Sequence, residues 1–154
     1  MKKLNPTDYL KSIGFTIHKQ LKIYKHTIFV DDFNKWFCIS TKKSTKVYSF
    51  RDLLDFELNE DGASIMQGKT GASLLGGLTF GVAGAVIGSA GKRKSVETCN
   101  SMVVRIMVNS LQEPQIVIPL LSVEIKKNTM TYQSIKNKAK ELAAMLMYIQ
   151  NQAV

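Results

Sequence analysis

Between Thr70 and Gly91 the chain carries no charged residue, and glycine recurs through the stretch at short intervals. Its centre reads Leu74-Leu75-Gly76-Gly77-Leu78-Thr79-Phe80-Gly81-Val82-Ala83-Gly84-Ala85-Val86-Ile87-Gly88-Ser89-Ala90. Wound as a helix, it places Gly77, Gly81, Ala85 and Ser89 in one row of small residues, and Gly84 and Gly88 repeat the four-residue spacing beside it. Such rows let helix backbones touch. Glycine this dense costs a lone helix in water about 1 kcal/mol per residue relative to alanine. The segment therefore needs something packed closely on it: its own domain, a second copy, or lipid. Leu78, Val82, Val86 and Ile87 add apolar surface, and Lys92-Arg93-Lys94 follows at once, an anchor suited to an anionic membrane surface.

A membrane crossing is the simplest use of the 19 residues from Ala72 to Ala90, close to the ~20 that a span requires. The flanks argue against it. Leu54, Phe56 and Leu58 alternate with Asp55, Glu57 and Asn59 before the segment, and Val104, Ile106 and Val108 alternate with Arg105 and Met107 after it. Alternation of this kind marks strands with one buried and one wet face. Strands of one sheet cannot lie on opposite sides of a bilayer. A tight helical hairpin, a re-entrant wedge or a self-association surface remains. Packing against itself or a copy ranks first, shallow membrane insertion second and a full span last.

The rest of the chain reads as α+β. Asn5-Pro6 predicts a helix start, and Tyr9, Leu10 and Ile13 continue it to about Gly14. Leu21 to Val30 is rich in β-branched and aromatic types, and Asp31-Asp32-Phe33-Asn34 signals a turn. Trp36–Ser40 and Val47–Phe50 read as strands joined by the polar loop Thr41–Lys46. Asp61-Gly62 turns the chain, as does Asn109 to Pro114. Gln115–Leu120 reads as a strand that Pro119 confines to an edge, and Val123–Lys126 as a further short strand. Ile135, Ala139, Leu142, Leu146 and Ile149 are spaced by four, three, four and three, which predicts an amphipathic helix over about 130–150 packed on the domain's own sheet.

Charge narrows the partners. The 154 residues carry 21 Lys+Arg against 12 Asp+Glu, a net charge of +9. The first 50 residues contribute +7, the next 50 contribute −1 and the remainder +3. Acidic partners are favoured. Arginine, which reads bases and phosphates through its planar fork, occurs only at Arg51, Arg93 and Arg105, so sequence-specific DNA recognition is not expected. The basic surface is expected at Lys42, Lys43 and Lys46 in the hairpin loop and at Lys92, Arg93 and Lys94.

Catalytic patterns fail on inspection. Gly68-Lys69-Thr70 matches the end of a phosphate-binding loop, but Ala63 stands where that motif requires glycine. His18 and His26 have no nearby cysteine or glutamate, so no metal site is expected. Cys38 and Cys99 are too few for a disulfide framework, and Cys38 falls inside an apolar strand. Asp55 and Glu57 read as solvated charge on the wet face of a strand. No catalytic residue and no cofactor is expected. The N-terminus has a basic opening without an apolar run behind it, so the expected location is the cytoplasm, with both cysteines reduced.

This order of elements resembles the PH/GRAM-like barrel. More narrowly, the chain resembles a bacterial and prophage family of such domains with a glycine-zipper insertion. The residues that carry the likeness are Val47 to Leu58, the block from Leu75 to Gly88 with its basic tail, Arg105-Ile106, Pro114, Tyr132 and the final helix. Relatives often add a zinc-ribbon or SHOCT segment; neither is expected here, since no Cys-x-x-Cys pair occurs. The resemblance implies one domain over 1–154 with a helical glycine-rich insertion at 70–94. It implies a bent antiparallel β-barrel capped by the C-terminal helix. The expected function is a non-enzymatic binding module. Gly77, Gly81, Gly84, Ala85 and Gly88 would form its interaction surface, for self-association, a protein partner or peripheral contact with an anionic membrane. The alternative is a phage-derived inhibitor of a host or defence protein.

Overall fold

The computed structural model describes residues 5–68 and 97–153. The expected helical insertion lies outside the described residues.

Helix α1 spans Pro6–Ser12. Asn5 caps it by accepting the Asp8 N–H at 2.8 Å, Pro6 occupies its first turn, and Gly14 (φ +86°) lets the chain turn away. Four strands follow: β1 (Lys19–Ile23), β2 (His26–Asp31), β3 (Trp36–Ser40) and β4 (Thr45–Ser49). They form an antiparallel sheet in that order. A 3-10 turn at Phe50–Asp52 leads to β5 (Leu53–Glu60) and β6 (Ala63–Gln67). Beyond the insertion come β7 (Thr98–Cys99), β8 (Met102–Val108), β9 (Gln115–Leu121), β10 (Ile125–Lys126) and α2 (Met130–Gln152). The second sheet runs β6-β5-β8-β9, and β7 pairs with β10 as a small ribbon. All pairings are antiparallel. Among the described residues the two sheets do not join into the closed barrel that the resemblance implied.

The β-rich stretch Leu21–Val30 folds as parts of two strands. Ile23 and His26 close a two-residue turn at Tyr24-Lys25, with Tyr24 at φ +54°. Neither residue is a customary turn former, so the break has no local signature.

β5 departs from its expected alternation. A bulge between Leu53 and Asp55 shifts the pairing with β8. Leu53 is consequently buried and Leu54 is 55% exposed, whereas Phe56 and Leu58 face the core as expected. Asn59, expected on the wet face, is buried. In its proper amide orientation it donates to Glu57 and accepts from Arg105 Nε at 3.1 Å.

The main core is shared by both sheets and α2. Phe37, Phe56, Leu58, Ile106 and Ile118 meet the helical stripe of Ala139, Leu142, Leu146 and Ile149. On the outer side of the first sheet, α1 contributes Leu10 to a second cluster with Phe15, Phe29 and Cys38. Pro119 lies on the edge strand β9.

Candidate interaction surface

The roots of the glycine-rich segment are both built into the frame. At the first, β6 ends at Gln67 and Gly68 is buried, its N–H donating to the Phe56 carbonyl at 2.7 Å. A Cβ at Gly68 would collide with the Asp55 carboxylate and lie 2.8 Å from Gln150 Oε1 and 2.9 Å from the Phe56 ring. Gln150 is itself held by donating to the Leu54 carbonyl at 3.2 Å. Any side chain here would have to displace the Asp55 carboxylate, the Gln150 amide and the Phe56 ring.

At the second root, the Glu97 carbonyl accepts the Lys127 N–H at 2.8 Å, just outside the β7–β10 ribbon. The Lys127 ammonium lies 3.5 Å from Glu97 Oε2 and 3.4 Å from Glu60 Oε1. Glu60 also accepts the Tyr132 hydroxyl at 2.7 Å. Burial lowers the readiness of Lys127 to hold its proton, but the two carboxylates outweigh it and its pKa is raised. Burial, then Glu60, pushes the Tyr132 phenol upward. Asp61 Oδ1 accepts the N–H groups of Asn100 and Ser101 at 2.7 and 3.0 Å, which fixes the returning chain to the β5–β6 turn.

The lysine loop lies elsewhere. Thr41 Oγ1 accepts the N–H groups of Lys43 and Ser44, each at 3.2 Å, and orders the β3–β4 turn that carries Lys42 and Lys43. Lys46 is ion-paired with Glu113, so it joins this hairpin to the β8–β9 loop. Both partners are near half exposed, where such a pair contributes little stability. Of the expected basic surface, Lys92, Arg93 and Lys94 lie outside the described residues, as do Gly77, Gly81, Gly84, Ala85 and Gly88.

Both thiols are sequestered. Cys38 and Cys99 are buried free thiols, each pushed up to about 12, chiefly by burial, and so protonated at neutral pH. Among the described residues, no three His, Cys, Asp or Glu side chains come together to hold a metal ion. No described helix is long and apolar enough to cross a membrane.

A model of the glycine zipper-containing PH domain family matches residues 15–122. The chain belongs to this family. The matched span opens just before β1, takes in the glycine-rich segment and closes after β9, so both roots fall inside it. No curated protein and no solved structure gives a match. PH-like domains commonly mediate protein or lipid interactions, and a glycine zipper-containing PH domain is accordingly a binding module in general character.

Sequence reasoning missed Gly68, Glu97, Lys127 and Glu60 as the fixtures of the segment. Only Gly68 had a visible signal, a glycine immediately before the insertion. It also missed a cleft of about 350 Å³ between α2 and the first sheet, lined by His18, Lys19, Val30, Glu141, Met145 and Tyr148 among others.

Proposed function

We propose that this glycine zipper-containing PH domain is a non-catalytic cytoplasmic binding module that presents its glycine-rich segment for close packing. A second copy of the chain is the first occupant. A docked protein and shallow contact with an anionic membrane follow in that order. The observation that carries this reading is the double anchoring. Gly68 is wedged among Asp55, Phe56 and Gln150, and Glu97 is held through Lys127 to Glu60. A segment fixed at both roots loses less conformational entropy when it engages a partner than a free tail would.

The test uses the full chain and the variants Gly77→Leu and Gly81→Leu. Light scattering reads mass, and flotation reads binding to vesicles with and without phosphatidylserine. Loss of higher mass in the variants supports self-association, and loss of flotation supports membrane contact. Unchanged mass and flotation in both variants would sink the reading and leave the segment as internal packing.

A further inference from the structure

The two roots of the glycine-rich segment are held in unlike ways. The outgoing root continues a ladder. β6 pairs with β5 between Ala63 and Gln67, and Gly68 adds its bond to Phe56. β5 is itself paired on its other side with β8. The returning root ends in β7, which has two residues and pairs with the two residues of β10. Among the described residues this ribbon joins neither sheet. Glu97, just outside it, is tied by its carbonyl to the Lys127 N–H and by its carboxylate to the Lys127 ammonium at 3.5 Å. The Glu97 side chain is half exposed, so this ion pair is weak and open to screening by salt.

Detaching Glu97 to Cys99 strands no charge. Lys127 keeps Glu60 at 3.4 Å, and Glu60 keeps the Tyr132 hydroxyl. The losses are a two-residue ladder and the burial of Cys99, a small side chain wholly inside the main core. Detachment also has a built-in stop. Asp61 Oδ1 accepts the N–H groups of Asn100 and Ser101, and the Asp61 N–H donates to the Ser101 carbonyl at 2.9 Å. Beyond this hook the chain enters β8, which is bonded to β5 on one side and β9 on the other.

We propose that the returning root is releasable: Glu97, Thr98 and Cys99 detach from β10 as a unit, as far as the Asp61 hook, while Gly68 stays fixed and the domain stays folded. Release adds three residues, about 10 Å of extended chain, to the reach of the glycine-rich segment at one end only. The Glu97–Lys127 pair sets how often it happens. Short ladders with few buried contacts open locally at far less cost than global unfolding. The proposal rests on the reading of the segment as a presented surface, but its test reads the root alone. A root that never opens shows in thiol labelling, and a segment that never associates shows in mass and flotation.

The native thiol of Cys99 is the reporter. The full chain is labelled with iodoacetamide in increasing urea below its unfolding midpoint, and peptide mass spectrometry separates Cys99 from Cys38. Cys99 labelling should be nearly independent of urea, because local opening exposes little surface. It should quicken about two- to fivefold in Glu97→Gln, which removes one half-exposed ion pair. Salt at 1 M should quicken the wild type by a similar factor and leave Glu97→Gln unchanged. In amide exchange read by NMR, Lys127 should exchange before Asn100 and Ser101. Asp61→Gly, which deletes the hook and tolerates the φ of +51°, should bring all three together. The proposal is overturned if Cys99 labelling carries the full urea slope of global unfolding, or if Glu97→Gln leaves the rate unchanged. It is also overturned if Asn100 and Ser101 exchange together with Lys127 in the wild type.

Discussion

Tyr132 and Glu60 are 72 positions apart in sequence and share a hydrogen bond of 2.7 Å. It joins the first turn of α2 to the last residue of β5, beside Lys127 and the returning end of the glycine-rich segment. Tyr132 is buried, so the bond is shielded from water. Tyr132→Phe keeps the ring and removes the donor to a carboxylate. We expect a loss of about 1.5–3 kcal/mol, read from the urea midpoint. An unchanged midpoint would show that Lys127 alone satisfies Glu60.

Gly68 gives a prediction about shape. An alanine methyl there meets a carboxylate, an amide and an aromatic ring at once. Gly68→Ala should destabilise the domain by about 1–3 kcal/mol, the usual cost of overpacking. Gly62→Ala is the comparison. Gly62 has open space around its Cβ position but a φ of +84°, so its cost of about 1 kcal/mol is conformational. Adding Gln150→Ala should recover part of the loss at Gly68 and none at Gly62.

The bulge in β5 separates two adjacent leucines. Leu53→Ala opens a cavity in the core and should cost about 2–5 kcal/mol. Leu54→Ala touches an exposed side chain and should stay within about 0.5 kcal/mol. Equal losses would mean that β5 pairs with β8 without the bulge.

His26 predicts a pH dependence. Burial lowers its pKa below the ordinary 6.5, and Nδ1 has no partner among the described residues. The unfolded chain therefore takes up its proton at higher pH than the folded one. Stability should fall as pH drops below about 6.5 and level off once the folded state also binds the proton. Urea midpoints from pH 7.5 to 5 should show this slope, and His26→Gln should flatten it.

Asp31 shows the opposite sense. Burial alone would raise its pKa, but hydrogen bonds from Asn34, Thr16 and Phe33 overcome that and hold it below the usual value. Its contribution is present above pH ~4 and is lost as the pH falls through the lowered folded value. Asp31→Ala should remove that acid-side dependence and cost about 1–3 kcal/mol at neutral pH, by taking the shared acceptor from the N–H groups of Thr16, Phe33 and Asn34. A variant as stable as the wild type would mean that water satisfies those donors.

Much of the frame was legible because periodicity is local. Ala139, Leu142, Leu146 and Ile149 were readable as one buried stripe, and Val104, Ile106 and Val108 as one buried strand face. Asn5-Pro6 and Asp61-Gly62 carried their own cap and turn chemistry. Leu54 was misplaced because a bulge depends on the partner strand, which a single strand's pattern does not record. The turn at Tyr24 was hidden because its residues are held there by pairing rather than by propensity. The contacts that make the anchors were hidden for a stronger reason: Gly68 meets Gln150, and Glu60 meets Tyr132, across more than seventy positions.

The placement of α2 has a mechanical consequence. Its C-terminal end presses Gln150 on the outgoing root, and its N-terminal end ties Tyr132 and the preceding Lys127 to the incoming one. Its flank forms the wall of the cleft beside β1. The helix is therefore a strut between the two roots: a tilt of α2 loads Gly68 at one end and the Lys127–Glu60 pair at the other.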